Sequence, residues 1–142
     1  MLARLLLLPF GSTWTLQGLC QRVRNPWLKR SLIFLYTACQ AESGSSIAWN
    51  ARFAGQPVLP HGAKSIFVSG GARIGRNCVI FQQVTIGSNT LPDSGGRGAP
   101  VIGDNCYIAA GAKIIGNVTV GDNVRIGANA VVYKDVPANS VV

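Results

Sequence analysis

One histidine and four cysteines are the side chains of this 142-residue chain best suited to proton transfer or metal binding. Imidazole has an unperturbed pKa of about 6.5, so His61 suits a reaction in which a base removes a hydroxyl proton near neutral pH. The cysteines are Cys20, Cys39, Cys78 and Cys106, and no two of them are closer than 19 residues. This spacing argues against a zinc knuckle or a Cys-x-x-Cys redox motif, and four free thiols suit a reducing cytosol.

The elements that must position His61 follow from a repeat with a period of six. In a helix, residue i+6 lies about 240° around the axis, whereas in a strand residues i, i+4 and i+6 share one face. Gly, Asn and Asp punctuate the repeat, as in Gly103-Asp-Asn105, and they suit tight corners. Short strands with a corner every six residues predict a parallel β-helix, an all-β solenoid. The six-spaced apolar residues are Ile47, Phe53, Leu59, then Val68, Ile74, Ile80, Ile86, then Ile102, Ile108, Ile114, Val120, Ile126 and Val132.

Two insertions break the period. The step from Leu59 to Val68 is nine residues, and the step from Ile86 to Ile102 is sixteen. Insertions in solenoids form loops, often on the binding face. The first insertion contains His61, and the second predicts a loop over about residues 88–100.

Residues 1–45 have a different composition, which predicts a helical segment before a β-helix over residues 46–142. Asn25-Pro26 is typical of a helix start, and the second helix is expected over about 26–40. The apolar run Leu5–Phe10 is too short to span a membrane, and Pro9 interrupts it, so we expect no cleaved signal. Five of the thirteen Lys and Arg residues lie before Glu42, the first acidic residue. This basic segment is either a solvated face or a surface for anionic partners or a membrane.

Five stretches carry a family resemblance: Leu59–Gly62, Gly75–Ser88, Gly98–Asn105, Ile108–Asn117 and Val120–Val132. Together they resemble the hexapeptide-repeat acyltransferases, most of all the serine acetyltransferase-like O-acetyltransferases. The resemblance implies a left-handed β-helix, a homotrimer, and active sites in the clefts between subunits. It also implies acetyl-CoA as the acetyl donor, lying along the helix.

The resemblance assigns roles to individual residues. His61 is expected to be the catalytic base, and Gly87 and Ser88 to donate backbone N–H groups to the oxyanion. Small residues are expected to line the pantetheine arm of the cofactor, and cations to meet its phosphates. The small residues are Ala110 and Ala128, and the cations are Lys113, Arg125 and Lys134.

Departures from the family leave the acceptor open between L-serine and a sugar hydroxyl of a surface polysaccharide. Serine acetyltransferases have an Asp before the catalytic histidine, a carboxylate fifteen residues upstream of it and a second histidine in the insertion. Here these positions hold Pro60, Ser46 and Ala99, which favours the sugar. The sequence stops at Val142 without the Gly-x-Pro-Ala turn and basic tail usual in the family, so we expect a truncated chain or a weaker cofactor site.

Other functions fit less well. A γ-class carbonic anhydrase needs three histidine ligands for zinc, and this chain has one. The 45 residues before the repeat are too few for a nucleotidyltransferase domain. The net charge of +8 comes without an aromatic and basic stripe, so we expect no nucleic-acid binding. We expect a cytoplasmic enzyme without a metal, and we do not predict membrane association. The alternative is a non-catalytic β-helix scaffold that forms trimers.

Overall fold

The computed structural model describes residues 8–142. The described part begins with two helices, α1 (Thr13–Arg22) and α2 (Pro26–Ala41). The predicted helix start at Asn25-Pro26 is confirmed, since the Asn25 side chain accepts hydrogen bonds from the N–H groups of Trp27 and Leu28 at 3.0 and 3.2 Å. Most of the apolar start that we weighed as a signal segment lies outside the described residues. No helix in residues 8–142 is long and apolar enough to cross a membrane.

Twelve short parallel strands follow in the described residues and wind into three sheets. Sheet A contains β1, β3, β6, β9 and β12, sheet B contains β2, β4, β7 and β10, and sheet C contains β5, β8 and β11. The predicted left-handed parallel β-helix is confirmed. The strands are β1 (Ser46–Ile47), β2 (Arg52–Phe53), β3 (Phe67–Val68), β4 (Arg73–Ile74), β5 (Val79–Ile80), β6 (Thr85–Gly87), β7 (Val101–Ile102), β8 (Tyr107–Ile108), β9 (Lys113–Ile115), β10 (Thr119–Val120), β11 (Arg125–Ile126) and β12 (Val131–Val132).

The register between coils shows where each insertion leaves the solenoid. Uninterrupted coils repeat every eighteen residues, as in the pair Arg125 and Tyr107. The coil with the first insertion is three residues longer, since Arg52 pairs with Arg73. The coil with the second insertion is ten residues longer, since Arg73 pairs with Val101. The first insertion therefore joins sheet C to sheet A, and the second joins sheet A to sheet B.

The three edges of the solenoid can be named by what they carry. The histidine edge joins sheets C and A and contains residues 60–65, 81–84, 109–112 and 127–130. The insert edge joins sheets A and B and contains residues 48–51, 69–72, 88–100, 116–118 and 133–135. The asparagine edge joins sheets B and C and contains residues 54–57, 75–78, 103–106, 121–124 and 137–140.

The interior is filled by the six-spaced aliphatic residues and the small residues four positions after them. Ile80, Ile86, Ile108, Ile114 and Ile126 are each 0 or 1% exposed. Each buried isoleucine stacks on the equivalent residue of the next coil, so the core is a column rather than a globule.

Asparagines at positive φ turn the asparagine edge and form a ladder along it. Asn77, Asn105, Asn123 and Asn139 have φ of +55 to +62°, a region that Asn tolerates better than most residues. The side-chain amides of the first three each donate to the oxygen of the next asparagine, at 3.2, 3.2 and 3.0 Å. The ladder therefore fixes the coils in register at this edge.

The helices cover the first coil, whose upper backbone groups have no coil above them. Gln40 both donates to the Ile47 carbonyl at 3.1 Å and accepts from the Ile47 N–H at 2.7 Å. Gln17 donates to the Ala48 carbonyl, and Gln21 donates to the carbonyls of Trp49 and Ala51. Three glutamines thus replace the missing strand partners of an exposed sheet edge.

The first coil differs from the prediction in one respect. Phe53 and Leu59 are half-buried rather than enclosed, because this coil packs against the helices instead of another coil. Phe53 contacts the ring of Trp14, with centroids 5.1 Å apart.

Candidate functional site

The turn that presents His61 is short and firmly attached at both ends. The Gly62 N–H donates to the Leu59 carbonyl at 3.0 Å, and Gly62 has a φ of +70°, which a residue without Cβ adopts freely. After the turn, the Ser65 N–H donates to the Ser43 carbonyl, and the Ser45 hydroxyl donates to the Ala63 carbonyl. The His61 side chain is exposed at the tip of this turn.

Aromatic rings adjoin His61 on the histidine edge. The imidazole centroid lies 5.8 Å from the ring of Phe81, which lies 5.1 Å from the ring of Tyr107. Within residues 8–142, the imidazole makes no hydrogen bond. Ser46, at the position of the upstream carboxylate of serine acetyltransferases, is an exposed residue of β1.

Below Phe81, corners of the histidine edge are occupied by small residues. A cofactor that lies against the main chain needs small side chains there. Ala110 and Ala128 both occupy corners of this edge, so the structure aligns them with His61 along the solenoid axis. Lys113 lies beside the same edge on β9, and its ammonium donates to the Gln83 carbonyl at 2.7 Å.

A buried acceptor without a partner lies at the same edge. The side-chain oxygen of Gln82 is buried and has no hydrogen-bond partner among the residues that the structure describes. Such an atom is costly to leave unpaired, and because it is enclosed, a ligand could donate to it only after the side chain turns outward.

Three further predicted site residues lie at or beside the insert edge. Gly87 ends β6, Ser88 begins the insertion, and Lys134 is exposed after β12 with its ammonium 5.4 Å from the Tyr133 ring. The insertion folds back on itself, because Asn89 and Gly98 exchange backbone hydrogen bonds of 2.9 and 3.0 Å.

Ser88 is better placed than Gly87 to donate an N–H group to a ligand. The Thr85 N–H donates to the Ala112 carbonyl of the next coil, and alternation along the strand directs the Gly87 N–H the same way. Ser88 follows the strand, and its hydroxyl donates to the Ser69 hydroxyl at 2.8 Å. Ser88 also lines a shallow groove with Arg97 and Ala99.

One chain does not bring the two groups of predicted residues together. The histidine edge and the insert edge are separated by the width of sheet A, about 15 Å for four to five extended residues. Arg125 lies on a third surface, in β11 of sheet C, where it lines a groove with Tyr107.

Several residues that face these surfaces were missed in the sequence. Phe81 and Tyr107 sit at outward positions of the repeat, and only the count of residues per coil would have placed them below His61. Arg97 lies in the insertion, where the sequence shows no period.

The cysteines are unsuited to attack a substrate. Cys20, Cys39, Cys78 and Cys106 are buried as free thiols. Burial raises the pKa of Cys20 and of Cys39, which disfavours the reactive thiolate. Cys78 and Cys106 are enclosed in neighbouring coils, at 0 and 1% exposed, and each thiol donates to a backbone carbonyl of the next coil. Their mutual interaction raises the pKa of Cys78 and lowers that of Cys106, but burial closes both thiols to a substrate.

Comparisons with known proteins agree with this geometry. A family model described as bacterial transferase hexapeptide (six repeats) matches residues 99–134. The serine acetyltransferase of Staphylococcus xylosus is 43% identical over 100 residues, which are 70% of this chain and 45% of the relative. Over residues 99–134, the chain therefore carries the hexapeptide repeat of bacterial transferases.

Further members and solved structures of this family carry the same name. The serine acetyltransferase of Synechococcus elongatus is 39% identical over 100 residues, or 70% of this chain and 40% of the relative. The crystal structure of Neisseria gonorrhoeae serine acetyltransferase with serine superimposes with a TM-score of 0.75 and 31% identity, over 92% of this chain and 52% of that one. A serine acetyltransferase in complex with CoA gives a TM-score of 0.75 at 27% identity, over 91% and 51%. This hexapeptide-repeat chain spans about half the length of these relatives.

Proposed function

We propose that this protein transfers an acetyl group from acetyl-CoA to the hydroxyl of L-serine. The observation that carries the proposal is the position of His61, an exposed imidazole on the turn that breaks the repeat. The similarity to proteins named serine acetyltransferase, one of them solved with serine and another with CoA, supports the same reaction.

The chemistry follows from the groups at hand. His61 accepts the hydroxyl proton as the serine oxygen bonds to the thioester carbon, and the Ser88 N–H stabilises the resulting oxyanion. The carbon–sulfur bond then breaks, and the imidazolium returns the proton to the departing thiolate of CoA. The products are an acetyl ester and free CoA.

Residues of the histidine edge provide a place for the donor molecule. Ala110 and Ala128 leave the main chain open to an extended arm. Lys113 offers further N–H donors to a phosphate group beyond its bond to the Gln83 carbonyl. Lys134 and Arg125 can meet phosphates only if a neighbouring subunit or a bent cofactor reaches their surfaces.

The site is complete only between two copies of the chain. Because sheet A separates His61 from Ser88, the base of one subunit must work with the insert edge of its neighbour in a homotrimer. Mixed trimers of His61→Ala and Ser88→Pro chains test this arrangement, because the second change removes the N–H group assigned to the oxyanion. Mixing two inactive proteins should restore activity in clefts that receive both intact residues, whereas a site within one chain would give no recovery.

A sugar hydroxyl is the second candidate acceptor. No carboxylate of residues 8–142 bonds to His61, and Pro60, Ser46 and Ala99 replace the groups that distinguish serine acetyltransferases. The ring of Phe81 beside His61, with Tyr107 packed against it, offers apolar surface to the face of a pyranose. The buried free thiols favour a reducing compartment, so we place either reaction in the cytoplasm.

Release of free thiol from acetyl-CoA tests the proposal. Wild type, His61→Ala and the control Lys64→Ala, an exposed residue of the same turn, are assayed with L-serine and with a panel of sugars. We expect turnover with serine, a loss of at least about a hundredfold in His61→Ala, and little change in Lys64→Ala. Turnover with a sugar alone selects the second acceptor. Absence of both turnover and acetyl-CoA binding favours the scaffold.

A further inference from the structure

The outward face of α2 carries large apolar side chains that nothing in residues 8–142 covers. Trp27 is 77% exposed, Phe34 is 78% exposed and Leu28 is 53% exposed. Trp27 and Phe34 are seven residues apart, so they lie on one side of the helix, two turns from each other. The opposite side of α2, with Leu32, Tyr36, Cys39 and Gln40, is buried against α1 and the first coil.

Cations accompany this apolar face. Arg30 is exposed, and it lies three residues after Trp27 and four before Phe34, between them on the same side. Arg22 and Arg24 are exposed just before the helix begins. None of the five acidic residues of the chain precedes Glu42, so the charge of this surface is not offset within its own segment.

We propose that this face, defined by Arg24, Trp27, Leu28, Arg30 and Phe34, docks on an anionic lipid surface. Trp and Phe side chains beside Arg are the composition that holds an amphipathic helix in the headgroup region. The charge complements the negative potential of the cytoplasmic leaflet. The buried Gln40 fixes α2 to the first coil, and the Lys29 ammonium lies 4.4 Å from the ring of Trp49, so the helix is presented as part of a rigid unit.

Docking through this face would bring the candidate site close to the lipid surface. The helices pack on the first coil, and the turn with His61 comes directly after that coil. Successive coils are about 4.8 Å apart, so His61 lies within about one coil of the end that carries the helices. An acceptor hydroxyl attached to a lipid carrier would be within reach of such a site. The docking itself does not depend on the proposed reaction.

Vesicle binding tests the proposal with the full chain. Protein is sedimented with vesicles of equal parts phosphatidylglycerol and phosphatidylcholine, and separately with phosphatidylcholine alone, at low and high salt. We expect binding to the anionic vesicles, weaker binding in high salt, and at least about tenfold less binding to the neutral vesicles. A blue shift of tryptophan emission should accompany binding and vanish in Trp27→Phe.

Matched variants distinguish binding through this face from binding through the overall positive charge of the chain. Trp27→Ser/Phe34→Ser should lower vesicle affinity at least about fivefold, whereas Tyr133→Ser, an equally exposed ring far from the helices, should leave it unchanged. Arg24→Gln/Arg30→Gln should weaken binding more than Arg52→Gln/Arg73→Gln, which removes the same charge from sheet B.

Three results would overturn the proposal. The first is no binding to anionic vesicles, and the second is an equal loss of binding in the face variants and their controls. The third is a change of oligomeric mass in Trp27→Ser/Phe34→Ser, which would assign the face to a contact between copies of the chain. Thiol release in solution is measured in parallel, so a failure of docking is distinguishable from a failure of the proposed reaction.

Discussion

Replacement of Gln40 by leucine should destabilise the first coil far more than replacement of Gln21, which also contacts it. Gln40 is 7% exposed, and its side chain satisfies both the N–H and the carbonyl of Ile47, which is equally buried. These two groups point away from β3, so no strand can replace the lost side chain. Leucine has a similar volume and fills the space without offering a donor or acceptor.

The magnitude follows from counting the orphaned groups. A buried backbone group left without a partner costs about 1–3 kcal/mol, and Gln40→Leu creates two of them. The apolar side chain recovers part of this loss, so we expect a net destabilisation of about 2–4 kcal/mol. For a chain of this size, that corresponds to a decrease in Tm of roughly 8 °C.

Thermal unfolding and amide hydrogen exchange measure the effect. Gln21→Leu is the control, because Gln21 is exposed and water can replace its bonds to Trp49 and Ala51, which limits the cost to about 0.5 kcal/mol. Exchange at Ile47 and Ala48 should accelerate in Gln40→Leu before exchange in β9 does, because a solenoid frays from its end. Equal Tm values for the two variants would refute the idea that glutamines cap the sheet edge.

Three further predictions concern alkaline stability, the asparagine ladder and the packing between coils. Burial raises the pKa of the Tyr36 phenol above its value of about 10 in the unfolded chain. The protonated phenol therefore contributes its full stability below about pH 10, and this contribution is lost as the pH rises further. Tyr36→Phe should flatten the decline of Tm between pH 9 and 11, and an unchanged decline would show that Tyr36 does not cause it. Asn105→Ala removes two hydrogen bonds of the ladder and leaves a Cβ at a φ of +58°, so it should lower the free energy of unfolding by about 1–2 kcal/mol. Asn105→Gly removes the same bonds but relieves the backbone strain, so it should lower the free energy of unfolding less. Chemical denaturation compares the two variants. Gly75→Ala should destabilise by about 1–3 kcal/mol, since its Cβ would lie 2.5 Å from the Gly103 carbonyl group, while Gly95→Ala, with open space around it, should be neutral in the same denaturation assay.

The period of six predicted the solenoid because it constrains which residues face inward regardless of local propensity. Every aliphatic from Val68 to Val132 in the six-spaced series is buried, and the insertions leave the solenoid where the period breaks. The helix start at Asn25-Pro26 was equally readable, because capping depends on neighbouring residues.

The contacts between coils were not readable in the same way. The ladder that joins Asn77, Asn105 and Asn123 requires side chains eighteen or twenty-eight residues apart to meet, and its asparagines have the same turn signature as any corner. The glutamine cap was also missed, because Gln17, Gln21 and Gln40 show no pattern until the helices are placed on the first coil. The need for glycine at position 75 was also unreadable in the sequence, since the atoms that leave no room for a Cβ belong to the backbone of Gly103 in another coil.

The separation of His61 from Ser88 was nevertheless contained in the sequence. Each coil has three six-residue sides, so the edge to which an insertion belongs follows from the number of repeats before it. Counting from Ile47, three repeats precede the first insertion, which therefore returns the chain to sheet A. Three more repeats begin at Val68, Ile74 and Ile80, and Ile86, again on sheet A, leads into the second insertion. Two insertions that leave neighbouring edges cannot form one pocket in one chain, because a full side of the triangle lies between them. If both insertions act in one reaction, the partner of each must therefore come from another copy of the chain.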